Sequence, residues 1–232
     1  KLAMELKETM NSDCICISND KKDLNDGHSI EISTKSIINP TVQLIRNCAI
    51  EHTDEITKHV SKYETIIIMA NLAGKSGAAM SPTISSICKE QNKNVLSFAI
   101  MPFKFEKERI FQSGIALKRI RQDSQCTIVI DNDALLDSNP DLSQNQCYDI
   151  SNKSIESMMH SLKSSEISSD TNIMSASRVT GDIEASLKNS LRMLYEDAPP
   201  NSIKRSMLYV FGGRDIPVGI LNTISNITGG TF

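Results

Sequence analysis

Apolar positions along the chain recur with two spacings, and the alternation between them sets out a fold. Leu2, Leu6 and Met10 fall four apart, so residues 1–10 predict a helix. Residues 14–17 form a short apolar run in which Cys14 and Cys16 alternate, the pattern of a strand that buries both on one face. A polar loop spans 19–27. Asn39-Pro40 predicts a helix start with proline in the first turn. Val42, Leu44, Ile45, Cys48, Ala49 and Ile56 then supply the apolar faces of one or two helices. Residues 65–69 are β-branched and continuously apolar, which predicts a fully buried parallel strand. A small-residue loop over 71–77 leads to a helix over 82–90. Residues 95–101 predict a second buried strand stopped by Pro102, then a helix over 109–121, a third buried strand over 127–130, and a helix over 150–162.

Strands that alternate with helices predict an α/β fold, a mostly parallel sheet with helices on both faces. The pattern then changes. Residues 161–177 are Ser-rich and lack periodicity, as a linker or boundary would. A helix over 181–195 and a strand over 207–211, ending in Gly212-Gly213, form a unit too small to stand alone. The expected organisation is a Rossmann-like domain over 1–150, a connecting helix and linker over 151–172, and a partial α+β second domain over 173–232.

Composition narrows the function classes. Hydrophobic residues are 39% of the 232, enough for a folded core. Trp is absent and aromatics are 4%, which argues against a stacking platform for single-stranded nucleic acid. A net charge of −3 shows no broad basic footprint, so nucleic acid is not an expected partner. None of the six cysteines forms a CxxC pair or stands beside a His at zinc spacing, so they read as small buried hydrophobes, with no metal site among them. Free thiols fit a reducing compartment, no apolar run approaches the ~20 residues of a membrane span, and the charged amphipathic start is not a signal peptide. The expected location is the cytoplasm.

The candidate chemistry lies at residues 65–77, which run strand, small-residue loop, helix. Phosphate binds at such places because free backbone N–H groups and the positive end of a helix dipole converge there. Two readings are open at this point. Gly74-Lys75-Ser76 matches the end of a P-loop, with Asp131 at a metal-holding strand end, but that motif needs a Gly where Met69 stands. The other reading takes in residues 73–82, Ala-Gly-Lys-Ser-Gly-Ala-Ala-Met-Ser-Pro. This stretch resembles the GGGTG[ST]GAAP phosphate loop of the tubulin/FtsZ family.

Further segments resemble that family in the same order. Pro102-Phe103-Lys104-Phe105-Glu106 followed by Arg109 is similar to its PFxFE…R segment. Residues 128–136, Ile-Val-Ile-Asp-Asn-Asp-Ala-Leu-Leu, are similar to IVIPNDRLL, and Tyr148 and Asn152 lie one helical turn apart, as the family's base-reading pair does. Weaker likenesses are Cys14 to Asp20 with FIAINTD, Ile38-Asn39-Pro40 with ANP after a glycine loop, Ser175-Ala-Ser-Arg with GSAR, and Phe211-Gly212-Gly213 with SGG.

The resemblance implies GTP or GDP as ligand, with Mg2+ beside it. It places Gly74, Lys75, Ser76 and Gly77 at the phosphates, Glu106 and Arg109 at the sugar and phosphates, and Asn132 at the sugar. Tyr148 would stack on guanine and Asn152 would read its edge. The implied function is filament assembly for cell division or cell shape, with a second copy as head-to-tail partner and other cell-division or cytoskeletal proteins as further partners.

Three glycines of the phosphate pattern are replaced, by Ala73, Lys75 and Ala79. A lysine at that position can pair with a triphosphate or fill its space. The NxDxxD-type loop that activates water in the family belongs between Leu162 and Ser175; Glu166 and Asp170 lie there, but their surroundings do not match it. No catalytic residue is therefore assigned, little hydrolysis is expected, and the alternative is a non-hydrolysing scaffold of the same fold. The family's first strand and first glycine-rich loop belong before Lys1, and its last helix and strand after Phe232.

Overall fold

The chain opens with helix α1 (Leu2–Met10), as its four-residue apolar spacing predicts. A computed structural model describes residues 2–24, 28–35, 37–161, 171–176 and 182–197, together with Gly219 and Asn222. Strand β1 (Cys16–Ser18) begins later than the alternating cysteines suggest: Cys14 precedes it, and both thiols are half-buried rather than buried. Strand β2 (Ser29–Glu31) pairs with it in parallel, Cys16 opposite Ser29 and Ser18 opposite Glu31. Three residues with one apolar side chain carry no periodicity, so this strand could not be read from sequence.

Helix α2 (Val42–Glu51) starts after Thr41, whose hydroxyl accepts the Leu44 N–H at 3.2 Å. Pro40 therefore lies outside the helix and not in its first turn. Helix α3 (Thr53–Val60) follows at once, and the apolar run beyond it becomes β3 (Thr65–Asn71). Next come α4 (Lys75–Glu90), β4 (Asn94–Met101), α5 (Lys107–Asp123) and β5 (Cys126–Asp131). Helix α6 (Asn132–Ser138) was not foreseen; the Asp131 carboxylate caps it by accepting the Asp133 N–H at 2.8 Å. Helix α7 (Gln144–Ser161) starts well before residue 150. Within the stretch read as linker lies strand β6 (Thr171–Met174), and α8 (Ile183–Asp197) follows. The expected strand at 207–211, Gly212-Gly213, Arg178, Glu166 and Asp170 lie outside the described residues.

The larger sheet has the order β3-β4-β5-β6, and β3 and β4 pair in parallel from Thr65 opposite Asn94 to Asn71 opposite Ile100. The fold is α/β, mostly parallel, with helices on both faces. Strand β3 is less enclosed than its composition predicts: Ile68 and Ala70 are buried, while Ile66, Ile67 and Met69 are half-buried. One core gathers Ile45, Ala49, Ile56, Ile68, Ala79 and Val95, and burying each large aliphatic side chain contributes about 1.5–3 kcal/mol. Cys88 belongs to this core, and burial pushes its thiol up to about 11. The chain divides into two compact units, one built mainly on Ala3–Ile130, the other on Asp131–Leu162 and Ile173–Phe232.

Helix α4 begins at Lys75 and runs through Pro82, where the sequence placed its start. Proline has no N–H, so the Ala78 carbonyl one turn earlier loses its helical donor. The Arg46 guanidinium on α2 fills the gap: Nη2 donates to the Ala78 carbonyl at 3.4 Å, and Nη1 donates to Gln43 Oε1 at 3.2 Å. The Ser81 hydroxyl donates to the Gly77 carbonyl at 2.5 Å and supports the same turn. Arg46 is buried, and desolvation, followed by the charge of Arg119, holds it below the usual arginine range. An unpaired buried carbonyl costs ~1–3 kcal/mol. Arg46→Met is expected to lose about that much in urea unfolding. Adding Pro82→Ala restores a backbone donor and recovers part of the loss; equal losses in single and double variants would refute this role.

Candidate functional site

The turn from β3 into α4 is three residues long, because Asn71 holds it from both its side chain and its backbone. Its side-chain oxygen accepts the Ala73 N–H at 3.0 Å, and its carbonyl accepts the Gly74 N–H at 3.2 Å. Leu72 donates to the Ile100 carbonyl at 2.8 Å, which fastens the turn to the end of β4. The predicted loop over 71–77 is therefore shorter: Gly74 is the N-cap, and Lys75, Ser76 and Gly77 form the first helical turn.

The glycine requirement falls on one residue. A Cβ at Gly77 would lie 2.1 Å from the Asn71 carbonyl oxygen and 2.9 Å from its carbon, both backbone atoms. Gly74 has an ordinary extended backbone, φ −82 and ψ 141, and its Cβ would lie 3.4 Å from the same oxygen. So Gly77 is fixed by close approach of helix and strand, not by a left-handed conformation. No side chain caps the N-terminus of α4, which leaves the amides of Lys75, Ser76 and Gly77 as orphan donors.

Two other loops of the first unit reach this turn. The Ser76 hydroxyl donates to the Asn19 side-chain oxygen, just after β1, and the Lys75 ammonium donates to the Asn39 side-chain oxygen, just before α2. Lys35, in the stretch where the family resemblance would put glycines, and Asn39 have φ of 54 and 60, left-handed backbone without glycine. These contacts gather at the carboxyl ends of parallel strands, where α/β sheets bind ligands. Lys75 adds a cation at the positive end of a helix, which is unfavourable by ~0.3–1 kcal/mol. Among the described residues no carboxylate pairs with it; its partner is a neutral amide.

Glu106 and Arg109 meet at the start of α5. Arg109 Nη1 donates to Glu106 Oε1 at 2.7 Å, and Glu106 Oε2 accepts the Phe103 N–H at 3.1 Å. Phe103 is buried and stacks on the exposed Phe105, ring centroids 5.2 Å apart. Ser113, which the sequence reading missed, lies 2.7 Å from the Leu72 carbonyl and ties α5 to the β3–α4 turn. Its signal is a small polar residue facing inward on a helix that otherwise buries Ala116 and Ile120.

In the second unit, Asn132 opens α6 and is fully buried. Its Oδ1 accepts the Ser151 hydroxyl at 2.6 Å, and its Nδ2 has no partner among the described residues. Ser151 lies on α7 beside Asn152, one turn beyond Tyr148; the latter two are half-buried. The Tyr148 hydroxyl accepts from Gln144 at 3.1 Å. Tyr148 and Asn152 sit on the second and third turns of α7 rather than at its start. Burial and then the Asp133 charge raise the nearby Cys147 thiol. Of the sequence-predicted residues, Gly74, Lys75, Ser76, Gly77, Glu106 and Arg109 belong to the first unit, and Asn132, Tyr148 and Asn152 to the second.

Phosphate sites occur in parallel α/β folds at strand-to-helix turns of this kind. Residues 6–140, more than half the chain, match the model of the Tubulin/FtsZ family, GTPase domain, and the chain belongs to that family. It is 29% identical over 87 residues to cell division protein FtsZ 2 of Halobacterium salinarum, covering 38% of this chain and 22% of that protein. It is 29% identical over 122 residues to FtsZ 1 of the same organism, covering 52% and 30%. The chain thus aligns with less than a third of these relatives' length. Among solved structures, an FtsZ mutant of M. jannaschii superposes with TM-score 0.73 at 14% identity, over 99% of this chain and 79% of that one. CetZ from Methanosaeta thermophila gives 0.58 at 16%, over 83% and 63%. At these identities the superpositions show the fold alone.

The geometry makes Gly77 the least replaceable residue of the turn. Gly77→Ala is expected to lose roughly 1–3 kcal/mol in urea unfolding, the cost of overpacking against backbone. Gly114→Ala on α5, where a Cβ meets nothing within 4 Å, is expected to gain about 0.5–1 kcal/mol from helix propensity. A Gly77→Ala variant as stable as the parent would contradict the close approach.

Proposed function

We propose that this chain binds a guanine nucleotide and assembles head to tail with further copies of itself, in cell division or cell shape. The observation that carries the reading is Asn132, a fully buried side chain whose amide Nδ2 has no partner among the described residues. An unsatisfied buried donor costs ~1–3 kcal/mol, and a sugar or base oxygen would satisfy it. Ser151 fixes the orientation of that amide, and α7 carries a ring and a second amide one turn apart, a set suited to a planar base with donor and acceptor edges. The orphan amides at the start of α4, which the close approach at Gly77 sets at the end of β3, suit phosphate oxygens. Membership in the Tubulin/FtsZ family supports guanine as the base and leaves no support for the P-loop reading of Gly74-Lys75-Ser76.

When bound, GTP supplies a phosphoanhydride that water can cleave. Hydrolysis needs a residue that positions that water. None is assigned here, so the reading is a nucleotide-dependent scaffold with little turnover. Self-association is supported by one structural neighbour, which is an FtsZ dimer (M. jannaschii) with TM-score 0.60. A heterologous, non-closing contact turns such pairs into filaments. Among the described residues no helix is long and apolar enough to cross a membrane; the reading places the protein in the cytoplasm.

Titration with a fluorescent guanine nucleotide tests the base site. Base–aromatic stacking contributes about 1–3 kcal/mol, so Tyr148→Ala is expected to bind roughly tenfold more weakly or worse. Equal affinities would remove Tyr148 from the site. In the same preparation, phosphate release from GTP is expected to stay at background as the protein is concentrated; release that rises with concentration would overturn the low-turnover reading.

A further inference from the structure

The first turn of α4 carries a charge that no carboxylate among the described residues compensates. Lys75 is the first helical residue, so its ammonium lies at the positive end of the helix dipole, beside the orphan amides of residues 75–77. Cations are disfavoured at that end. Lys75 is nonetheless held in place: its ammonium donates to Asn39, while the adjacent Ser76 hydroxyl donates to Asn19. Both acceptors are neutral amides, and among the described residues no carboxylate pairs with Lys75. A local electrostatic rule is broken here, as sequences tend to break such rules at functional sites.

A triphosphate brings several negative charges, and proteins meet them with Mg2+, Lys or Arg. The groups brought to this turn are two carboxamides, a hydroxyl and an ammonium. Mg2+ is usually bound through one or two carboxylates together with substrate phosphates, and it is not helped by an adjacent cation. The donor set therefore fits phosphate oxygens and does not fit the divalent ion that the family resemblance implies.

We propose that Lys75 supplies the positive charge a bound guanine triphosphate requires, so that this chain holds GTP without a divalent cation. The proposal rests on the nucleotide reading above. Lysine has three donor hydrogens, so the ammonium can keep its bond to Asn39 and still reach a phosphate oxygen. Asn39 then acts as a positioning residue: it holds the ammonium over the turn and links the segment before α2 to the phosphate end of the site. Replacement of a pattern glycine by lysine thus adds a ligand group where glycine offers only backbone.

The test is calorimetric titration of the full chain with GTP, in excess Mg2+ and again in EDTA, for the parent, Lys75→Gly and Lys75→Gln. Lys75 is exposed on the first helical turn, and circular dichroism checks that the variants are folded. The parent is expected to bind GTP with the same affinity in both buffers, within about threefold. The variants are expected to bind roughly tenfold more weakly than the parent in both buffers, the loss of one charge-assisted contact. A parent that loses tenfold or more in EDTA would overturn the proposal while leaving nucleotide binding intact. So would a Lys75→Gly variant that binds more tightly than the parent in EDTA, since the lysine would then be an obstruction. No GTP binding by any form in either buffer would overturn the nucleotide reading itself.

Discussion

The first unit is organised around one close approach, that of the Gly77 Cα to the Asn71 carbonyl, where a Cβ would come within 2.1 Å of backbone oxygen. The three-residue turn places the start of α4 directly over the end of β3. That position determines what the helix touches next. Ala78 and Ala79 are buried one residue further along, and the small side chains let α2 and α5 approach the same stretch. The amides at the helix start are left without side-chain caps at the carboxyl ends of the strands. A larger residue at 77 would push the helix off the strand and disperse those amides.

The turn also accounts for two features that look unfavourable in isolation. Proline inside α4 removes a helical bond, and a buried arginine is costly to desolvate. Together they compensate, because Arg46 donates to the carbonyl that Pro82 leaves vacant. Among the described residues Lys75, at the positive helix end, has no carboxylate partner. Its contact with Asn39 fixes its place but not its charge. The structure thus separates a strained position that is repaired internally from one that an anion would relieve.

Periodicity and punctuation made the main α/β elements legible: β3, β4, β5, α1 and α5 were readable because apolar runs and helical spacing extend over enough residues. Short elements were not. Strand β2 has one apolar residue, and β6 lies in a polar, Ser-rich stretch; pairing with a neighbour makes each a strand. Pro40 and Pro82 misled in opposite directions, since one lies outside its helix and the other well inside. For the site, family likeness was visible in segments such as residues 102–109 and 128–136, and the match over 6–140 agrees with it. The partners of those residues were not visible. Asn19 with Ser76, Asn39 with Lys75 and Ser113 with the Leu72 carbonyl join positions 36 or more residues apart, which no local pattern encodes.

On the proposed function, this fold serves a guanine nucleotide despite the replaced glycines of its β3–α4 turn. The most direct measurement is thermal unfolding of the whole chain with GTP and, in parallel, with ATP at the same concentration. A ligand that binds only the folded state stabilises it by about 2.7 kcal/mol at a hundredfold excess over Kd, which in a chain of this size raises Tm by roughly 5–10 °C. That rise is expected with GTP, and little change with ATP. No shift with GTP, or equal shifts with both nucleotides, would contradict it.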